Sequence, residues 1–157
     1  MGQFLLNVAF LFSVRKVSKT KMKLLTFLAV FAFACCGALA ADKPVDVSKL
    51  PPPAAKKDLT YDKDIKPLLE KSCIKCHGPE KPKSKYRVDS REALIKGGES
   101  EEAAVVPGNS AKSRIIHFSA DLVEDMEMPP LDKREKYPPL TKDQIGLLRA
   151  WIDQGAK

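Results

Sequence analysis

Ile145, Leu148 and Ile152 recur at spacings of three and four, with Leu147 and Trp151 beside them. That period predicts an amphipathic helix near the end of the chain. Thr141 followed by Gln144 is a capping-box pattern that opens it, and Gly155 stands where a C-terminal cap belongs. A second apolar face, Ile65, Leu68 and Leu69, predicts a helix from about Asp62 to Ser72, whose regular part starts late, with Pro67 in its first turn. Ser90 is placed to cap a short helix carrying Ala93, Leu94 and Ile95, which Gly97-Gly98 ends. Ser110 is placed to cap another that carries Ile115 and Ile116. Alternating patterns are almost absent, so the expected fold is mostly α, with helices at both ends.

Between these helices the apolar period disappears. Residues 78–89 and 118–140 read as long loops. Loops of that length in a small domain need something to pack on, or they carry function. Residues 41–58 contain Pro51-Pro52-Pro53, which cannot be helical and reads as a flexible, extended linker. The folded domain is expected over 59–157, about a hundred residues, a size at which a staple or cofactor often supplements the core.

The first forty residues differ from the rest. They hold five of the 27 basic residues and none of the 20 acids. Lys21 and Lys23 precede an apolar stretch, and Ala38-Leu39-Ala40 is a small-x-small site. Residues 1–40 therefore read as a secretory signal peptide, with Met22 as an alternative start. An uncleaved anchor through residues 24–41 is the rival, since the run nears the roughly 18 apolar residues that can span a bilayer. The remaining chain is nearly balanced in charge, which argues against a nucleic-acid binder. The expected location is periplasmic or otherwise extracytoplasmic, with membrane attachment only if the N-terminal segment is retained.

Four cysteines become two once the signal segment is removed: Cys73 and Cys76, in Lys71-Ser-Cys-Ile-Lys-Cys-His77. A structural zinc site needs four ligands, and this chain offers no second C-x-x-C and only one further histidine, His117. A thioredoxin-type dithiol belongs at a helix start after a strand, and here the motif follows a helix. C-x-x-C-H is the attachment motif of a c-type haem. Two thiols on one side of a helical turn add to the two vinyl groups of one porphyrin, and the next histidine reaches the iron. This assigns Cys73 and Cys76 as thioether residues and His77 as proximal ligand of one covalent haem c.

A low-spin electron-transfer haem needs a second axial ligand. The candidates are Met128, Met126 and His117. Met128 is favoured because Pro129-Pro130 follow it and hold the loop extended. Histidine and methionine together would leave no open iron site and favour one-electron transfer over catalysis.

The stretches DIKPLLEKSCIKCHGPE, YRVDSREALIKGGES, AVVPGNSAKSRII and MPPLDKREKYPPLTKDQIGLLRAWIDQGA occur in one order over about 61–156. With the haem motif, they make this chain resemble planctomycete-type cytochrome c domains, part of the small His/Met c-type cytochromes. The resemblance implies a small class I-like cytochrome c fold. In that fold a few short helices and long loops wrap a covalent haem, and the N- and C-terminal helices pack together. It implies Cys73 and Cys76 as haem-attachment residues, His77 as proximal and Met128 as distal ligand. Domains of this type often open larger proteins, whereas this chain ends just after its last helix, which leads us to expect a carrier or small subunit.

Eight basic residues fall between Lys63 and Arg87, against three acids. That Lys-rich face, 63–87, is a candidate docking surface for an acidic redox partner. The expected function is an extracytoplasmic one-electron carrier, not an enzyme. The alternatives are an electron-relay subunit of a membrane-associated or periplasmic oxidoreductase complex, and a membrane-tethered interaction module with residues 42–58 as spacer.

Overall fold

The Trp151 indole lies at the centre of the core, fully buried, with its Nε1–H donating to the Lys157 carbonyl at 2.7 Å. The computed structural model describes residues 44–100 and 102–157. The segment read as a signal peptide, 1–40, lies outside the described residues. Five α-helices hold the described part together: α1 (Lys66–Ser72), α2 (Ile74–His77), α3 (Arg91–Lys96), α4 (Arg114–Ser119) and α5 (Lys142–Asp153). Short 3-10 turns and loops join them, and there is no strand among the described residues.

The expected first helix divides in two. Tyr61–Ile65 forms a wide turn, in which the Lys66 N–H reaches the Tyr61 carbonyl five residues back, and regular helix starts only at Lys66. Pro67 explains the break: its ring has no N–H to give and crowds the carbonyl four residues before it. The wide turn places Tyr61 and Ile65 in the core. Tyr61 packs at a tilt on Trp151, ring centres 6.1 Å apart, so the two ends of the domain meet there.

Helix α5 follows its sequence signals closely. Thr141 and Gln144 exchange the two capping-box hydrogen bonds. Gly155, at φ +94, closes the helix: its N–H reaches the Ile152 carbonyl while the Ala156 N–H reaches that of Trp151, the Schellman pattern. Ile145, Leu148, Trp151 and Ile152 are all buried. Ser90 caps α3 through its hydroxyl, and Gly97, at φ +83, ends it.

Ser110 has a different task from the one expected. Asn109, not Ser110, caps the turn Ser110–Lys112, and α4 begins without a side-chain cap. Ser110 is buried and gives both its N–H and its hydroxyl to Asp153, at 2.7 and 3.0 Å. Arg149 donates to the same hydroxyl oxygen at 3.1 Å. An acid at the negative end of a helix needs such donors, and Ser110 supplies them.

The stretch 41–58, expected to be a flexible linker, is packed over its described part. Leu50 is buried. The Ala54 N–H donates to the Gly146 carbonyl at 2.9 Å, Arg149 to the Pro51 carbonyl, and the Gln154 amide to the Lys56 carbonyl at 2.9 Å. Lys56 also pairs with Asp64 at 2.6 Å. Prolines leave carbonyls free for outside donors, and α5 provides those donors. The strap lies so close that a Cβ on Gly146 would stand 2.7 Å from the Pro52 carbonyl oxygen.

Gly146→Ala is therefore expected to run against helix propensity. In an ordinary helix interior the change stabilises by about 1 kcal/mol. Here the strap must lift, and a net loss of about 1–3 kcal/mol is expected, the usual scale for overpacking. Urea unfolding of the two proteins checks the sign.

Candidate functional site: the cavity beside Cys73-x-x-Cys76-His77

The C-x-x-C-H stretch folds as one tight turn. Cys73 ends α1, and its carbonyl accepts from the N–H groups of Cys76 and His77 at 3.1 and 3.0 Å. Gly78 follows because a side chain is excluded there: a Cβ would lie 2.6 Å from the Ile74 carbonyl oxygen. The two cysteines are free and half-buried on this one turn. Burial, and secondly the neighbouring Cys76, pushes the Cys73 thiol up to about 12. A redox dithiol needs a lowered value, and burial here acts in the opposite direction. Among the described residues no group of three or more His, Cys, Asp or Glu side chains is arranged to hold a metal ion.

His77 is oriented by the backbone. Its Nδ1 lies 3.1 Å from the Tyr86 carbonyl oxygen, which can only accept. Nδ1 therefore carries the proton, and Nε2 keeps its lone pair for a metal. Burial holds the imidazole below its ordinary pKa and keeps it neutral, as a ligand must be. The Tyr86 ring meets the imidazole edge-on, with centres 5.4 Å apart. The Val88 N–H returns to the His77 carbonyl at 2.8 Å and ties the two segments together.

Beside this turn is a largely apolar cavity of about 280 Å3. Cys73, His77, Met126 and Met128 all line it, with Val88, Ile115 and Phe118 as apolar wall. The structure thus brings residues 73 and 77 together with the two methionines fifty residues later. His117 is not among the lining residues. Its Nε2 lies 2.8 Å from the Ala111 carbonyl oxygen. A larger open groove, about 610 Å3, runs between the Pro-rich strap and the start of α5 and has no His, Cys or Met in its lining. The chemistry lies in the smaller cavity.

The loop bearing Met128 is braced on both sides. The Met128 N–H donates to the Phe118 carbonyl at 2.9 Å. Arg134 donates from Nε to the Pro129 carbonyl at 2.9 Å and forks onto Asp121. Met126, two residues earlier, is 38% exposed.

Three wall residues had no local signal in the sequence. Arg114 lines the cavity, forms an ion pair with Glu102 and lies 5.1 Å over the Phe118 ring. Gly98 lets the loop after α3 press on Tyr86, since a Cβ there would be 3.0 Å from the Tyr86 Cβ. Tyr86 has a hydroxyl fully buried and without a hydrogen-bond partner.

A buried donor left alone costs about 1–3 kcal/mol. A neutral imidazole with a free Nε2, the Cys73 thiol, soft methionine sulfur and an uncommitted donor on one apolar cavity, with Cys76 on the adjoining turn but outside the lining, fit a haem with polar groups at its rim. Fold and site together define a small all-α cytochrome c-like domain. Residues 73–132 match the family model of the planctomycete cytochrome C, which supports a planctomycete-type cytochrome c domain there. No curated protein and no solved structure matches the chain. That match suggests a haem-based electron-transfer role and implies covalent haem c. No helix among the described residues is long and apolar enough to cross a membrane.

Proposed function

We propose that this protein is an extracytoplasmic carrier of single electrons that uses one haem c. Cys73 and Cys76 would hold the porphyrin through thioethers, His77 would ligate the iron through Nε2, and Met128 would be the sixth ligand. The observation that carries this reading is the meeting of Cys73, His77 and Met128 on one cavity, with His77 Nδ1 committed to a carbonyl. The haem, when bound, supplies the one-electron couple. The chain's part is to exclude water, orient the imidazole and present a soft sulfur that favours ferrous iron.

The basic face is the proposed docking surface. Lys63, Lys71, Lys75, Lys81 and Lys83 are exposed and have no ion-pair partner among the described residues. Arg87, by contrast, is tied to Asp89 at 2.5 Å. The free cations suit an acidic redox protein and would raise its encounter rate at low salt.

The test is production in cells with haem-attachment machinery. The expected protein is red after acid-acetone extraction, heavier than the processed chain by one haem, and reversibly one-electron active. Its ferrous form should not bind carbon monoxide readily. Colourless extracted polypeptide would overturn the reading. Electron-transfer rates to acidic proteins should fall as salt rises, and a salt-independent rate would remove the docking face.

A further inference from the structure

Tyr86 is joined to the proximal ligand twice, by its carbonyl on His77 Nδ1 and by its ring on the imidazole edge. Its hydroxyl, however, is the one buried side-chain polar atom without a partner among the described residues. The same residue lines the cavity. A phenol O–H is a hydrogen-bond donor at any ordinary pH. We propose that Tyr86 binds the haem directly, its Oη–H donating to a propionate carboxylate. This rests on the reading above.

The acceptor follows from the chemistry of haem c. Its four ring nitrogens are engaged by iron, and its rim carries methyl groups, two thioethers and two carboxylates. Thioether sulfur is a weak acceptor, while a carboxylate accepts strongly. Arg114 and Glu102 also line the cavity, but they are already paired with each other. Glu99 is there too and has Lys85 at 4.0 Å outside. The Ser84, Ser100 and Ser119 hydroxyls line the cavity as well, but the Tyr86 hydroxyl is the one that is fully buried and without a partner among the described residues.

One residue would then set both the imidazole and the porphyrin rim. A donor to the propionate offsets negative charge that otherwise favours ferric iron, so Tyr86 would hold the potential up.

Tyr86→Phe in the holoprotein keeps the ring, the cavity shape and the backbone carbonyl. The expected result is full haem attachment and unchanged axial-ligand bands. The midpoint potential should be lower, and the propionate bending band in the resonance Raman spectrum should shift. A variant that binds haem but matches the wild type in both potential and propionate band overturns the inference and leaves the carrier reading intact. Wild-type protein without covalent haem overturns both.

Discussion

Met128→Ala is expected to abolish the methionine–iron charge-transfer band and to lower the midpoint potential sharply. Axial ligands move haem potentials over a range of about 0.8 V, so loss of the thioether is the largest single change available at this site. The ferrous variant should also bind carbon monoxide, since one axial position would open. The structural basis is the bracing of the loop. Phe118 holds residue 128 by its carbonyl, and Arg134 holds residue 129 while gripping Asp121. Met126→Ala and His117→Ala should keep the band. Met126 lines the cavity but is half open to solvent, and His117 is held at the Ala111 carbonyl. Optical spectra of the three variants decide the assignment. A band lost with Met126 and kept without Met128 would reverse it.

Trp151→Ala is expected to unfold most of the haem-free domain. Truncating a buried aromatic costs about 3–5 kcal/mol. That is a large part of the roughly 5–15 kcal/mol that hold small domains together. The expected consequence reaches the site. Trp151 packs on Tyr61, whose hydroxyl donates to the Val88 carbonyl at 2.5 Å, and the Val88 N–H in turn holds the His77 carbonyl. The variant should therefore melt the cavity wall along with the core. Trp151→Phe keeps most of the packing and loses the hydrogen bond to Lys157, so a smaller loss of about 1–2 kcal/mol is expected. Urea unfolding of the apo and haem-loaded forms measures both. Equal stability of the Ala and Phe variants would show that the indole is not the keystone described here.

Features decided within one or two turns were legible in the sequence. The Thr141–Gln144 box, the stripe from Ile145 to Ile152, the Ser90 cap and the Gly155 stop all depend on residues within about four positions of one another. The C-x-x-C-H turn is equally local. Misplacements arose where a residue had two possible partners. Ser110 had the sequence of a cap and the surroundings of a tertiary donor, and Asp153 took both its hydrogens. Pro67, by contrast, does stand in the first turn of a late-starting α1, as its sequence suggested, and the wide turn before it places Tyr61 and Ile65 in the core. The proline run was compatible with a free linker until Arg149 of α5 donated to the Pro51 carbonyl and the Gly146 carbonyl accepted from the Ala54 N–H.

By itself the sequence determined the helical class, the ends of α3 and α5 and the residues proposed to carry a covalent haem, because spacing along the chain decides those. Only the tertiary structure decided the rest: Met128 and Met126 share a cavity with His77 while His117 does not, the Tyr86 carbonyl orients the imidazole, and the strap lies on α5. Those outcomes depend on contacts between distant positions, as far as 98 residues apart for Arg149 and Pro51. No local period encodes such a meeting; it follows only once the core around Trp151 has brought the segments together.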